Sequence, residues 1–214
     1  MWGGLTLKRV KKYWTLLAGG NLSLKIAERG CDVYGIDISG KGINDAKRLA
    51  GREAITAKFE VGDAEHLPYP DSYFDKVVCS SSLEHFPNDV EALSEISRVL
   101  KRGGNFVLTT DSSLYPNDTK IGERHREIAR VVNYYSVETL ERALKISGFN
   151  MVRCKYLLKS PVTYFFNKIG IKMKWSDYLW MGISLWAYPL CLFSERLFRA
   201  KEDGYTLIAE ARKE

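Results

Sequence analysis

Two glycines and two aspartates follow consecutive predicted strands in the first third of the chain, where they could bind a nucleoside. Gly19 and Gly20 follow the apolar run at 13–18. Glycines at such a turn let the backbone approach a ligand, and the next helix offers free N–H groups. Asp37, 17 residues beyond Gly20, can accept hydrogen bonds from both hydroxyls of a ribose. Asp63 follows the third strand and could accept from an adenine amino group. Together these residues predict a nucleoside site.

Strand and helix patterns alternate along the chain, which predicts a mostly parallel α/β sheet with helices on both faces. The predicted strands are 13–18, 32–36, 55–61, 75–80, 105–110, 149–158 and 204–213. The predicted helices are 22–29, 43–50, 89–104 and 136–148, with a polar loop from the fifth strand to about residue 133. Ligands of such sheets bind at the carboxyl ends of the strands, so the loops after the strands should hold the site.

Length and composition indicate one domain, residues 1–214, with 45% hydrophobic and 27% charged residues. The net charge of +6 would suit an anionic partner or a membrane surface. The basic residues are scattered among acidic ones, however, which favours a solvated surface and predicts no nucleic-acid partner. Four cysteines without paired spacing are typical of a reduced, cytoplasmic protein.

Three segments resemble the class I S-adenosylmethionine-dependent methyltransferases, in particular the small-molecule branch related to ubiquinone and menaquinone biosynthesis. They are DVYGIDIS (32–39), VGDAEHLPYPDSYFDKVVCSSSLEHF (61–86) and ALSEISRVLKRGGNFVLTT (92–110). The resemblance runs from about residue 21 to 152, and the last strand also fits. It implies a Rossmann-like sheet of seven strands with an antiparallel last strand, S-adenosyl-L-methionine as cofactor, and a small-molecule substrate.

Five residues match cofactor-binding positions of that family. Asp37 matches the acid that binds the ribose, and Ile38 matches the apolar residue on the adenine face. Asp63 and Ala64 match the pair at the adenine edge, and Ser80 lies where the chain passes the methionine part of the cofactor.

The first motif departs from the family pattern. The family has an acid in strand one and then three spaced glycines, whereas TLLAGGNLS (15–23) offers Leu16, Leu17 and Ala18 instead. Only Gly20 falls on a family glycine, and the methyl group of Ala18 would crowd the cofactor's carboxypropyl chain. The N-terminal cap before strand one is also predicted to be shortened. Two interpretations stay open: a cofactor-binding enzyme, or a non-catalytic or cofactor-sensing protein of the same fold.

His85 is the candidate catalytic residue. Methyl transfer is a displacement governed by positioning, and an oxygen or nitrogen nucleophile can also need a base. His85 follows strand four near the expected methyl position, although a loop histidine bonded to backbone is the alternative. Glu84 and His85 match the end of the E-x-x-E-H metal motif of RNA-end methyltransferases, but Ser81 replaces its first acid, so no metal site is predicted.

A second histidine lies in GERHREIARVVNYYS (122–136), in the segment that covers the substrate in relatives. With Arg124, Arg126 and Tyr134, His125 could meet a polar or anionic substrate group. The alternative is a solvated loop and helix.

A hydrophobic insertion, about 159–203, separates the last two predicted strands. Its segment YLWMGISLWAYPLCLFS (178–194) has no charged residue, is shorter than the roughly 20 residues of a membrane-spanning helix, and contains Pro189. It could form a lid over the active site, which would imply a lipophilic substrate. Its aromatic residues and basic flanks also suit peripheral membrane contact through 175–199. A true span is the third possibility.

The sequence therefore predicts an S-adenosylmethionine-dependent methyltransferase acting on a small, lipophilic acceptor. A peripheral membrane enzyme with a lipid-linked substrate and a non-catalytic protein are the alternatives. A nicotinamide-dependent oxidoreductase would share Asp37 and the glycine loop, but it does not explain GDAEHLPY (62–69).

Overall fold

The computed structural model describes residues 12–16, 21–114, 119–172, 178–198 and 203–214, and these contain seven strands and seven helices. The strands are β1 (Lys12–Leu16), β2 (Asp32–Asp37), β3 (Lys58–Val61), β4 (Phe74–Ser80), β5 (Leu100–Asp111), β6 (Phe149–Leu157) and β7 (Thr206–Lys213). The helices are α1 (Asn21–Ala27), α2 (Gly40–Arg52), α3 (Asp89–Val99), α4 (Thr119–Ala129), α5 (Val137–Ile146), α6 (Pro161–Lys172) and α7 (Tyr178–Leu197), with a short 3-10 turn at Leu83–His85. The predicted N-terminal cap lies outside the described residues.

All seven strands form one sheet in the order β3-β2-β1-β4-β5-β7-β6. The first five strands of that order are parallel to one another, and β7 pairs antiparallel with both β5 and β6. This confirms the predicted mostly parallel sheet with an antiparallel last strand. The carboxyl ends of β1 to β5 therefore meet at one edge, where the site residues were predicted.

Neighbouring residues of β1 point to opposite faces of the sheet, and each face carries helices. Trp14 is fully buried in the larger core cluster, which also contains residues of α3 and α5. Tyr13 packs in a separate cluster with Cys31 and Val33, beside the residues of α1 and α2 that cover the same face. Apolar burial on both faces fixes the strand order and so the positions of the strand ends.

Several element boundaries differ from the sequence prediction, including those of α2, β3 and β5, and two differences lie beside the site. Helix α3 ends at Val99, five residues earlier than predicted, because Leu100 already pairs with Phe74 of β4. A bulge then precedes the pairing of Asn105 with Lys76, and Gly103 accommodates it with φ of +72°. The segment predicted as a polar loop contains α4. Its many charged residues made the helical pattern difficult to recognise in the sequence.

Helices α6 and α7 lie between β6 and β7 and are joined to the sheet at their ends. Backbone N–H groups of Lys159 and Ser160 donate to the Glu195 carboxylate of α7 at 2.8 and 2.9 Å. The ring of Tyr164 on α6 stacks on Tyr205 at 4.6 Å, immediately before β7. Among the described residues, no helix is both long and apolar enough to cross a membrane.

Candidate active site

A hydroxyl pair joins the two sides of the glycine loop. Thr15, fully buried on β1, donates its hydroxyl to the Tyr34 carbonyl at 3.2 Å. Its oxygen also lies 2.7 Å from the hydroxyl of Ser23 on α1, so Ser23 is the donor in that bond. Gly19 and Gly20 lie outside the described residues. The bond nevertheless fixes the strand and the helix that the loop connects.

The carboxyl end of β2 holds Asp37 next to β3. Asp37 pairs in register with Val61, and its carbonyl accepts from the Gly62 N–H at 3.1 Å. One carboxylate oxygen accepts from the Ser39 N–H at 2.8 Å, which orients the side chain over the start of α2. Within the described part of the chain the second carboxylate oxygen accepts no hydrogen bond, so it is available to a ligand.

Asp63 lies two residues beyond the end of β3, at the adjacent strand tip. Its carboxylate accepts from the Glu65 N–H at 2.9 Å, and its carbonyl accepts from the His66 N–H at 3.2 Å. These bonds make a tight turn that leaves the carboxylate exposed. Adjacent strands lie about 4.8 Å apart, so Asp37 and Asp63 lie at neighbouring strand tips on the edge where such sheets have their ligand crevice.

Apolar surface completes this crevice. Ile38, directly after Asp37, is 79% exposed. Ala64 is buried beside Asp63. A Cβ added to Gly62 would clash with the buried Ile36 side chain, so glycine is favoured where the chain leaves β3 toward Asp63. An exposed isoleucine between two carboxylates presents a flat apolar face with hydrogen-bond acceptors on both sides, which matches the shape and polarity of a nucleoside.

Strand β4 ends at Ser80, and the chain turns sharply there. Ser81 has φ of +47°, a left-handed conformation that non-glycine residues rarely adopt. Its N–H is shared between the carbonyl and the hydroxyl oxygen of Thr109 on β5, both at 3.0 Å. The hydroxyl of Ser82 donates to the Ser80 carbonyl at 3.1 Å. Strained backbone held by a neighbouring strand is frequent at functional sites.

The 3-10 turn that follows carries His85, which is exposed. Its Nδ1 lies 3.2 Å from the Arg130 carbonyl, an atom that can only accept. The neutral ring therefore carries its proton on Nδ1, and Nε2 has a free lone pair. This tautomer is the one that a general base needs.

Glu84 points the opposite way, into the protein, and is only 2% exposed. Its carboxylate accepts from the Thr110 hydroxyl on β5 at 3.1 Å. Its carbonyl accepts from the N–H groups of Val132 and Asn133, which fixes the chain just before Tyr134. Burial raises the pKa of Glu84 to about 7, so a substantial fraction of this side chain is protonated at neutral pH.

Asp111 ends β5 and faces a histidine and a tyrosine. Burial, together with the nearby Glu84 charge, raises the pKa of Asp111 to about 7. The Nε2 of His125 on α4 lies 3.8 Å from the Asp111 carboxylate, and its Nδ1 lies 2.9 Å from the Tyr134 hydroxyl. Burial lowers the pKa of His125 to about 4, so the imidazole is neutral at pH 7.

Sequence reasoning singled out His125 and Tyr134 but missed Glu84 as a buried acid and missed Asp111 altogether. Asp111 follows a predicted strand in the same way as Asp37 and Asp63 do, and that position was the available signal. Its burial depends on α4, which was predicted as a loop. Among the described residues, no group of three or more His, Cys, Asp or Glu side chains could hold a metal ion.

Comparison with known proteins agrees with this geometry. The family model described as a methyltransferase domain matches residues 17–108. The chain is 35% identical over 91 residues to a demethylmenaquinone methyltransferase of Deinococcus radiodurans, which covers 42% of this chain and 38% of the relative. It is 32% identical over 149 residues to a fatty-acid O-methyltransferase of Mycolicibacterium smegmatis, which covers 64% of this chain and 51% of the relative. Residues 17–108 therefore match a methyltransferase domain, and the sheet described above agrees with that match.

Structural similarity to other methyltransferases extends beyond the matched domain. The crystal structure of a geranyl diphosphate methyltransferase in complex with S-adenosylmethionine superposes with a TM-score of 0.70 at 17% identity, covering 96% of this chain and 79% of that one. The likeness therefore includes β6 and β7 and shows the fold. The sequence matches, in contrast, cover at most about half the length of the two curated relatives.

S-adenosylmethionine is the cofactor of this family, and the crevice at the β2 and β3 tips fits it. Asp37 has an open carboxylate oxygen for the ribose, Asp63 offers an acceptor for the adenine amino group, and Ile38 offers an apolar face for the base. Ser80 and the turn after it lie next along the sheet, because β1 and β4 follow β2 in the strand order.

Proposed function

We propose that the protein transfers the methyl group of S-adenosyl-L-methionine to an oxygen of a small, lipophilic acceptor. The observation that carries this proposal is the pair of carboxylates, Asp37 and Asp63, on adjacent strand tips of a methyltransferase sheet. Gly19, Gly20, Ile38, Ala64 and Ser80 are assigned to the same cofactor site. The relatives named for demethylmenaquinone and fatty acids support an acceptor with a long apolar tail.

The bound cofactor would supply an electrophilic methyl group on a positively charged sulfur. Transfer of that methyl group to the acceptor oxygen would break the carbon–sulfur bond and leave its electron pair on sulfur. The hydroxyl proton must then leave the oxygen. We assign its removal to Nε2 of His85, whose lone pair is free because Nδ1 donates to the Arg130 carbonyl.

Helices α4 and α6 support the lipophilic part of the proposal. Helix α4 packs against α6, so the insertion covers the same side of the sheet as His125. The Ser112 N–H donates to the Tyr205 carbonyl at 3.0 Å, and the Tyr205 ring stacks on Tyr164 of α6. Helix α6 is therefore connected, through Tyr205, to the chain directly after Asp111. An apolar tail could lie under α6 with its polar end toward β5.

Two measurements test the enzyme proposal. Titration calorimetry with S-adenosylhomocysteine should show binding, and no binding at millimolar ligand would favour the non-catalytic alternative. Incubation with methyl-tritiated S-adenosylmethionine should label p-hexylphenol, dodecanol or a prenylated naphthoquinol in the organic phase. Cofactor binding without transfer to any of these acceptors would contradict the proposed acceptor class.

We further propose that the cytoplasmic enzyme meets its acceptor at a membrane surface, through the C-terminal half of α7. Leu190, Phe193 and Leu197 share one helical face and are 51%, 63% and 67% exposed. Tyr188 is also 64% exposed, and Arg196 lies on the same half of the helix. Apolar, aromatic and basic groups in this combination suit an anionic lipid interface.

Vesicle sedimentation tests the membrane contact. The protein should co-sediment with vesicles that contain phosphatidylglycerol, and the double change Phe193→Ser and Leu197→Ser should release most of it. Ile146→Ser on α5 is the matched control, because Ile146 is 66% exposed elsewhere on the surface. Equal sedimentation of both variants would contradict the assignment to α7.

A further inference from the structure

Four polar side chains converge beyond the ends of β4 and β5, on the acceptor side of the proposed methyl position. They come from four separate parts of the chain: the turn after β4, the end of β5, helix α4, and the segment before α5. We call this set the head-group cluster: Glu84, Asp111, His125 and Tyr134. Their convergence depends on tertiary packing and is more than a local acidic run.

The carboxylate of Asp111 has no hydrogen-bond donor among the described residues. Its side chain is only 19% exposed, and Nε2 of His125 lies 3.8 Å from one of its oxygens. That separation exceeds hydrogen-bonding distance. A half-buried carboxylate that lacks a donor carries a substantial free-energy penalty, which a ligand hydroxyl can remove by donating to it.

His125 supplies the complementary group beside Asp111. The imidazole is 8% exposed, and its Nδ1 is bonded to the Tyr134 hydroxyl at 2.9 Å, which fixes the ring. When the tyrosine donates to Nδ1, the neutral ring carries its proton on Nε2, the nitrogen that faces Asp111. A ligand hydroxyl placed beside this ring would donate to the Asp111 carboxylate.

The charge of the cluster selects among oxygen acceptors. Burial raises the pKa values of Glu84 and Asp111 to about 7, and the Glu84 charge contributes to the raised pKa of Asp111. Arg126 lies over the Tyr134 ring at 5.2 Å, and among the charged groups only His85 acts to lower the pKa of Asp111. An anionic acceptor beside Asp111 would therefore meet two acids, while the Arg126 guanidinium lies against the Tyr134 ring.

We propose that the head-group cluster binds the polar end of the acceptor and that it takes a neutral hydroxyl, a phenol or an alcohol, in preference to a carboxylate. This inference rests on the proposed function, since it names the acceptor class of the same site. Glu84 acts as a positioning residue, because its carbonyl holds residues 132 and 133 and its carboxylate holds Thr110.

Three matched probes test this preference: p-hexylphenol, p-hexylbenzoic acid and p-hexylanisole, which share a ring and a tail. Calorimetry at neutral pH should show p-hexylphenol binding about tenfold or more tightly than either of the others, because one lacks a donor and the other is charged. In protein labelled at its three histidines, p-hexylphenol should shift the ring signals of His125. Equal or tighter binding of the benzoate would overturn the proposal.

Variants connect the preference to the cluster. His125→Gln and Tyr134→Phe should each weaken p-hexylphenol binding about tenfold, whereas Glu127→Gln on the exposed side of α4 should leave it unchanged. Tyr134→Phe keeps the ring and serves where His125→Gln unfolds. Unchanged binding in both cluster variants would also overturn the proposal.

Calorimetry with S-adenosylhomocysteine separates this inference from the proposed function. If phenol selectivity depends on the cluster while the cofactor product does not bind, the proposed function fails and the head-group site stands. If the cofactor product binds and only the benzoic acid is methylated, the head-group assignment fails and the methyltransferase proposal stands.

Discussion

Carboxylates at strand ends occupy two different environments in this protein. At the β2 and β3 tips, Asp37 and Asp63 bind nearby backbone N–H groups and keep an open side toward a crevice. At the β4 and β5 ends, Glu84 and Asp111 lie under α4 and the segment before α5, and burial raises both pKa values to about 7. Carboxyl groups near the strand ends therefore serve as open hydrogen-bond acceptors on one side and as buried acids with raised pKa values on the other. Burial, and not position along the sheet, sets the difference.

His85 follows Glu84 in the turn after β4, and its replacement should have the largest effect. His85→Gln should lower kcat about 100-fold or more, because a base in such a displacement contributes at least that factor. The affinity for S-adenosylhomocysteine should stay unchanged. Radiometric rates with p-hexylphenol and calorimetry measure the two quantities.

His66→Gln is the control for this variant, since His66 is an exposed histidine outside the acceptor side. A kcat that falls equally in both variants would indicate a general effect of losing histidine. An unchanged kcat in His85→Gln would transfer the role of base to Asp111 and His125.

Replacement of Asp37 tests the cofactor side of the comparison. Asp37→Ala should weaken S-adenosylhomocysteine binding about 100-fold, because two charge-assisted hydrogen bonds to the ribose are lost. The rate with saturating cofactor should fall much less. Calorimetry for binding and radiometric assays for rate give both values.

Asp32→Ala provides a control within the same strand, because Asp32 is exposed at the opposite end of β2. The affinity of Asp32→Ala for S-adenosylhomocysteine should equal that of the unaltered protein. If both variants lose affinity equally, the ribose contact assigned to Asp37 is wrong.

The pH dependence of the free energy of unfolding tests the raised pKa of Glu84 on the acceptor side. The folded protein raises the pKa of Glu84 from 4.5 to about 7, so this group stabilises the fold fully below about pH 4.5 and progressively less as the pH rises through 7. The stability of the unaltered protein relative to Glu84→Gln should therefore fall by about 2 to 3 kcal/mol between pH 4.5 and 8. Urea unfolding at a series of pH values measures this difference.

Both proteins share every other titrating group, so the difference between their free energies of unfolding removes most contributions from those groups. His125 acts with the opposite sign, because its lowered pKa removes stability as the pH falls from 6.5 toward 4. The exposed control Glu127→Gln should show a difference that does not change with pH. A flat difference for Glu84→Gln would show that this carboxyl is ionised in the folded protein.

The same contrast appears in how well the sequence predicts the two sides of the site. Asp37 and Asp63 were predictable because each follows its strand within a short segment of regular pattern, and the strand pairing brings them together without further information. Asp111 follows β5 in the same way, but its role depends on α4, a helix whose exposed charged residues resemble a loop in sequence. The early end of α3 was missed for a related reason, since the pairing of Leu100 with Phe74 is a tertiary contact. Gly19 and Gly20 lie outside the described residues, so the predicted glycine loop stays a prediction.

The smallest expected effect concerns Asp63, which is assigned to the adenine amino group. Asp63→Asn keeps an oxygen that can accept from the Glu65 N–H, so the turn should persist, but it removes the negative charge. S-adenosylhomocysteine binding should weaken about fivefold, since a charge-assisted bond becomes a neutral one.

The analogue with hypoxanthine in place of adenine should bind the unaltered protein more weakly, and that preference should shrink in Asp63→Asn. Asp45→Asn on α2, an exposed aspartate paired with Lys41, should leave both affinities unchanged. If the preference for adenine is as strong in Asp63→Asn as in the unaltered protein, the base is read elsewhere, and the carboxylate at the β3 tip only shapes the turn.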